Sequence, residues 1–443
     1  MELLRTFASE SSFHGLSHLV RAGTHWLEKM FWLCVLLFSV VYSVNLCHTH
    51  WERFRDNATV LNVETDYLSW QFRPPAATVC FEHVTEATLA ELVSRYWKVT
   101  TNHTRYLYYR QFLLTVNRAR YDNLWSFEPF ANDSTLDGNV SMIDLVRELH
   151  QPWTPPGKSF APVLTEVGIC YSSTALYHLQ SPDVEGPPTE YLRARADSCS
   201  TLDVCRAMVA MSHTDATRND VYIHIEEDVM TGDSPIHYVL GEHHIVSSVL
   251  SVEQIVASKA VKQLSSGRRK CRLPTEGLQH FGVYTMNLCR IDCRIEAALR
   301  LCECVPFFYN IGKPFCKSAG LYCLAMHYES WYPTDNCSCA PLCEFVSYRQ
   351  ISFKRKVVEQ ANSKLETQII YPRMRMKRDV LFDISNLIVS FGGCAALFLG
   401  CSFISFVEIA FFVLEYLLKR ISAYRQRASG NIVPQFVPEG TRY

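Results

Sequence analysis

The residues best suited to chemistry lie near the C-terminus. Gly392, Ala396 and Gly400 recur every four positions, Gly393 stands beside the first of them, and Cys401 and Ser402 follow the last. Glu408 comes next, inside an otherwise apolar stretch, and Asp383 stands just before that stretch begins. A four-residue spacing puts small side chains on one helical face, and in lipid such faces let helices approach closely. A carboxylate at membrane depth usually faces a cavity or an ion path. A simple helix-dimer anchor would explain the small residues alone; Ser402, Glu408 and Asp383 argue against it. Repeated around an axis by identical copies, these groups form acidic rings and exposed carbonyls, the means by which a pore selects cations. The segment is read as the lining of a cation path.

Two apolar segments must hold these residues. The first, 30–47, has 18 residues without a charge, and the second, 384–407, has 24. Each is long enough to span about 30 Å of hydrocarbon. The first is read as an uncleaved helix rather than a signal peptide, because its apolar run is long and no small-residue cleavage site follows it. The expected spans are 29–47 and 383–418, each a single helix. Beyond Leu418 the tail 419–443 has a net charge of +4, the first 30 residues are neutral, and the remainder holds −5. The positive-inside rule then puts both termini, 1–28 and 419–443, in the cytoplasm and about 330 residues outside. The overall charge of −1 argues against nucleic acid as a partner.

The segment between the spans, 48–382, reads as an extracellular domain. Five N-x-[ST] sequons begin at Asn57, Asn102, Asn132, Asn139 and Asn336. Fourteen of the 18 cysteines lie between Cys80 and Cys343, as an oxidising compartment permits. Strand-like runs at 76–83, 167–173 and 221–227 alternate with helical patterns at 86–97 and 141–149, so the class is α+β. Ten cysteines crowd into 271–343. Zinc is the competing reading there, but C-x-C is not the usual C-x2-C knuckle, so disulfides are expected and no metal site. Cys289 and Cys293 sit one helical turn apart, rising about 6 Å. Two residues of extended strand rise about 6.6 Å, so Cys339 and Cys337 can face them as two rungs. Cys271 and Cys343 would close the next rung, and Cys302, Cys304, Cys316 and Cys323 a local loop. Cys34, Cys394 and Cys401 are expected as free thiols within the membrane. Such a stack is a stiff rod suited to transmitting force. No zinc-helix, nucleophile-elbow or phosphate-loop motif marks an enzyme, and no cofactor is expected.

"LFDISNLIVSFGGCAALFLGCSFISFVEI" resembles the second transmembrane helix of the degenerin/epithelial sodium channel superfamily, with its G-x-S filter at Gly400, Cys401 and Ser402. "SSFHGLSHL" is similar to its cytoplasmic His-Gly gating motif at His14 and Gly15, and the ten-cysteine region to its thumb. "YPRMRMKRDVLFDISNL" and "VYIHIEEDV" are similar to the insect pickpocket branch. The resemblance covers nearly the whole chain. It implies a homo- or hetero-trimer in the plasma membrane with palm, β-ball, finger (about 84–165), knuckle and thumb (about 271–343). It also implies a sodium-preferring, amiloride-sensitive, voltage-insensitive pore. Glu408 would be the acidic group below the filter, and His14-Gly15 a re-entrant support. The implied disulfides are Cys271–Cys343, Cys289–Cys339, Cys293–Cys337, Cys302–Cys323, Cys304–Cys316 and Cys80–Cys170. Cys199–Cys205 is the pair left over once these pairings implied by the resemblance are taken out. Val389, eleven residues before Gly400, fills a position that is usually small, which implies hindered closure and a high resting open probability. Relatives couple thumb to membrane through an aromatic near Cys271; "GRRKCRLP" has none, which leaves Trp51 on the membrane side without a readable partner. Thirteen histidines from His48 to His327, His243-His244 among them, invite a proton-gated reading. Mechanical, osmotic and chemical stimuli stay equally open; a non-conducting accessory or receptor subunit needing a related partner is the alternative, against which the intact Gly400-x-Ser402, Glu408 and His14-Gly15 argue.

Overall fold

The structure, a computed structural model, describes residues 15–429 apart from 22, 73, 82–83, 134, 137–140, 151–159, 174–198, 201–204, 213–218, 242, 312–313, 336 and 360–361. In chain order the helices are α1 (Leu16–Val20), α2 (Trp26–Asp56), α3 (Glu86–Trp97), α4 (Tyr106–Asn117), α5 (Met142–Leu149), α6 (Lys259–Gln263), α7 (Ser266–Arg269), α8 (Met286–Cys302), α9 (Ser318–Met326), α10 (Tyr328–Trp331), α11 (Ile384–Leu399) and α12 (Phe403–Ser429). The strands are β1 (Thr59–Glu64), β2 (Gln71–Phe72), β3 (Ala76–Phe81), β4 (Ala161–Thr165), β5 (Gly168–Ser172), β6 (Cys199–Ser200), β7 (Cys205–Ser212), β8 (Asn219–His224), β9 (His237–Leu240), β10 (His244–Ala257), β11 (Phe345–Val357), β12 (Asn362–Ile370) and β13 (Arg375–Val380). The chain forms two compact units, Met1–Val60 with Val380–Tyr443, and Leu61–Asp379.

In the first unit, α2 begins where the His25 ring accepts a hydrogen bond from the Leu27 amide. Among the described residues it is the one unbroken helix long and apolar enough to cross a membrane. The C-terminal apolar stretch is not the continuous helix expected over 383–418. α11 stops at Gly400, and α12 sets off at 76° to it. Gly400 has φ 67° and ψ 17°, a left-handed conformation that Gly reaches without the Cβ penalty of other residues. The Gly400 amide donates to Ala396 O, and the Cys401 amide reaches back six residues to Ala395 O, closing the helix end. Ser402 then starts α12: its carbonyl accepts from the Ser405 amide, and its own amide donates to Ser405 Oγ. α11 packs on α2, with the Tyr42 and Phe398 rings 5.0 Å apart.

The second unit is α+β. One sheet runs β1-β13-β10-β12-β7, with β11 also paired to β10. β10 is its spine, antiparallel to β11 from His244↔Val357 to Ile255↔Phe345 and parallel to β12 along Ile245–Ser251. A five-stranded sheet, β4-β5-β3-β8-β9, lies against it through Val79, Val221, Leu240, Leu250 and Leu365. A second core gathers the buried faces of α3, α4, α5, α8 and α9. The expected strands at 76–83, 167–173 and 221–227 become β3, β5 and β8, and the expected helices at 86–97 and 141–149 become α3 and α5.

The cysteine-rich segment hangs on α8, whose first turn is capped by Thr285 Oγ accepting from the Leu288 amide. Disulfides join Cys289–Cys339, Cys293–Cys337, Cys271–Cys343, Cys302–Cys323 and Cys304–Cys316, and Cys80–Cys170 ties β3 to β5. Residues 337–339 are a tight turn, Cys339 N–H to Cys337 O at 2.9 Å, rather than the extended strand on which the two-rung argument relied. A buried ionic node fastens this segment from within. Glu166, 2% exposed, accepts from Arg294 Nη1 (2.8 Å), Tyr309 OH (2.7 Å), Tyr332 OH (3.1 Å) and the Gly232 amide (2.8 Å). Arg294, 1% exposed, also donates to Tyr332 O and Asp233, and its guanidinium lies 3.7 Å from the centre of the Tyr332 ring. Each oxygen of Glu166 is matched by donors, the condition on which a buried pair is tolerated.

Candidate functional site

The break between α11 and α12 brings together four of the singled-out residues. Gly400 ends α11, Cys401 is buried, Ser402 is exposed and opens α12, and Glu408 sits half-buried within the second turn of α12. Cys401 Sγ lies 3.7 Å from Leu399 O, folded back on its own helix end, while Gly400 before it is half-buried and Ser402 after it is exposed. Asp383 stands at the other end of α11, where its carboxylate caps the helix by accepting from the Asn386 amide at 2.7 Å. A cap carboxylate is stabilised by the N-terminal helix dipole. Asp383 therefore has a structural task, and the bend puts it on a different helix from Glu408.

The small residues face outward. A Cβ added to Gly392 or Gly393 would meet nothing within 4 Å, and Ala396 is exposed. Within one chain this face does not serve the α2 contact, which runs through other positions. Cys394 is buried there, close to Cys47 of α2. Cys34, Cys47, Cys394 and Cys401 are free cysteines. Cys47 had no assignment from sequence, since nothing in its spacing links it to Cys394. Val389 is 73% exposed on α11. Trp51 is exposed, and its ring lies tilted beside Phe54 of its own helix with centres 5.7 Å apart.

At the N-terminal end, Gly15 has φ 85° and leads into α1. A Cβ there would sit 3.4 Å from Leu36 and 3.5 Å from Trp32, both on α2. His18 of α1 stacks flat on Trp32 with ring centres 4.5 Å apart. The left-handed backbone explains why glycine suits position 15, while the contacts a Cβ would make with α2 are ordinary van der Waals distances. His14 lies outside the described residues, as do Asn139, Asn336 and the tail from 430; the side chains of Cys199 and Cys205 are likewise not described. Asn57, Asn102 and Asn132 are exposed.

Electrostatic pairings that no sequence spacing announced appear in the second unit. His237 Nε2 lies 3.1 Å from Asp220, which Arg120 also meets at 3.3 Å, and His280 Nδ1 lies 2.7 Å from Asp292. Hydrogen bonds from Arg375 and then Lys377 hold Glu64 below the usual carboxylate range. His224 and Asp228 are buried groups with shifted titration. Burial pushes His224 down to about 4, while its ring bonds Thr78 and Ile225 O. Burial also pushes Asp228 up to about 6, against the opposing hydrogen bond from Thr285.

Comparison with known proteins places this geometry in a family. Residues 7–412 match the profile described as amiloride-sensitive sodium channel. Among curated proteins, the chain is 28% identical over 217 residues to pickpocket protein 11 of Drosophila melanogaster, across 44% of this chain and 41% of that protein. That match spans less than half of the relative's length. Sodium channel protein Nach of Drosophila ananassae is 21% identical over 452 residues, covering 93% of this chain and 86% of it. The human bile acid-sensitive ion channel is 24% identical over 462 residues, covering 93% and 85%. The chain thus belongs to the amiloride-sensitive sodium channel family, ion channels rather than enzymes, on its insect pickpocket-like branch.

Proposed function

We propose that this protein is a subunit of a trimeric, sodium-preferring, amiloride-sensitive cation channel of the plasma membrane, opened from its extracellular domain. The observation that carries the reading is the break in the C-terminal apolar stretch at Gly400-Cys401-Ser402. A left-handed glycine interrupts the helix in mid-span, which lipid tolerates only where backbone lines a cavity or is buried in protein. The outward-facing Gly392, Gly393 and Ala396 support close approach of copies around an axis. In this reading α2 and the bent α11–α12 pair are the two spans, and both termini are cytoplasmic. Gly400, Cys401 and Ser402 form the constriction, and sodium sheds water against the carbonyls there. Glu408 lies on its cytoplasmic side, Asp383 at the outer mouth, and His14-Gly15 supports the constriction from below.

The ectodomain then divides into palm, β-ball, finger, knuckle and thumb, with the finger at about 84–165 and the thumb at about 271–343. It is glycosylated at Asn57, Asn102, Asn132, Asn139 and Asn336. Exposure of Val389 on α11 supports its facing neighbouring copies, where its bulk hinders closure. The test is whole-cell current in cells expressing the chain alone, in sodium and then in N-methyl-D-glucamine, with and without amiloride. An inward current that needs sodium and is blocked supports the reading. Glycosylated surface protein with no current, alone or with a related subunit, defeats it in favour of a non-conducting receptor.

A further inference from the structure

The ectodomain holds a cavity of about 320 Å³ between the end of β10, the segment after β8, the loop before α8 and the start of β11. Sites for small organic ligands begin at about this volume. The walls are mostly apolar, with the buried Tyr284 ring and Phe345 prominent. The charges in the lining are all of one sign: Glu227, Asp228 and Glu344 contribute carboxylates, and among the described residues no Lys, Arg or His lines it. Two neighbouring cations pair with wall residues without themselves lining the cavity. Lys262 pairs with Glu344 at 2.9 Å, and Arg272 lies over the Tyr284 ring at 4.8 Å. Asp228 is held rigid by Thr285 Oγ1, the Val229 amide and the Asn287 amide.

One wall group is unfinished. The side-chain oxygen of Gln254 is buried and has no hydrogen-bond partner among the described residues. Buried acceptors are nearly always satisfied, and an exception asks for the donor it lacks. A donor entering this cavity meets an acceptor and a negative field, and the body attached to it meets aromatic and aliphatic walls. We propose that the cavity binds a small amphipathic organic cation, an ammonium or guanidinium on an apolar body. Its charged N–H donates to Gln254, and Glu227 supplies the field. The walls come from both the spine of the large sheet and the disulfide-bonded segment around Cys271–Cys343. Occupancy therefore favours the arrangement of these elements that closes on the ligand, by the difference in affinity between arrangements.

The proposal stands apart from the pore reading, because its test needs no current. Val346 lines the cavity and is the cross-strand partner of Gln254. In the full chain at the cell surface, Val346→Cys is treated with a cationic trimethylammonium-ethyl methanethiosulfonate or its anionic sulfonatoethyl counterpart, with the parent chain as background. The cationic reagent is expected to react about tenfold faster. Phenethylammonium slows that reaction, its neutral isostere 2-phenylethanol does not, and Glu227→Gln or Gln254→Leu weakens the protection severalfold. Equal rates for the two reagents, or equal protection by amine and alcohol, overturns the proposal. If Val346→Cys fails to reach the surface, Ile255→Cys on the same wall is read in the same way.

Discussion

Gly15 is a single residue whose role is open to direct trial. Its φ of 85° disfavours any side chain, although a Cβ there would only touch Leu36 and Trp32 at ordinary distances. Gly15→Ala is expected to cost about 1–2 kcal/mol locally and to lower sodium current severalfold per surface subunit, with total protein unchanged. Unaltered current would remove α1 from the working machinery. His224 and Asp228 give a pH prediction with opposed signs. His224 is lowered to about 4, so its contribution is present above about pH 6.5 and is lost as pH falls toward 4. Asp228 is raised to about 6, so its burial destabilises the fold as pH rises from about 4 through 6. Each is worth roughly 3 kcal/mol at the far end of its window, and together they nearly cancel. Relative to the parent chain, Asp228→Asn should lose melting temperature between pH 7 and pH 5, and His224→Asn should gain it. Parallel melting curves for all three chains would contradict both assignments. The glycine was legible from the H-G pair in the sequence. The buried His and Asp were not, because burial is a property of the sheets that enclose them.

At the scale of elements, the buried node and the disulfides divide the work of holding the cysteine-rich segment. Glu166→Gln removes the partner of a desolvated guanidinium, a change that destabilises by about 3–5 kcal/mol. Tyr309→Phe removes one donor to the same carboxylate and is expected to lose about 1–3 kcal/mol. Surface yield and melting temperature should fall in that order; reversal of the order would show that the node does not depend on its charge pair. Replacing Cys289 and Cys339 together releases a constraint across 50 residues, worth about 4 kcal/mol on chain entropy, and should retain the protein before the cell surface. Much of this level was readable from pattern. α3 and α5 announced themselves by period, and the Cys289/Cys293 spacing suggested its two rungs. The bend at Gly400 was not readable as a bend, since 384–407 has no proline and no charge to interrupt an apolar helix. Glu166 and Arg294 are 128 residues apart, a separation at which no local pattern operates.

For the whole molecule, the order of features along the chain was the most informative signal. A His-Gly pair, an apolar span, a cysteine-rich outer segment and a small-residue span ending in Gly400-x-Ser402 together identified the family, although each alone is weak. What chain order does not encode is the arrangement of copies, because contacts between identical chains leave no periodicity within one of them. The central claim is that Gly400–Ser402 is where sodium is chosen. The most direct test is the reversal potential under sodium outside and potassium inside, for the parent chain and for Ser402→Ala, Ser402→Asp and Gly400→Ala. The account predicts a positive reversal potential for the parent that moves toward zero in the variants, while surface expression holds. A parent reversal potential at zero, or variants that keep the parental value at full current, would place selection elsewhere.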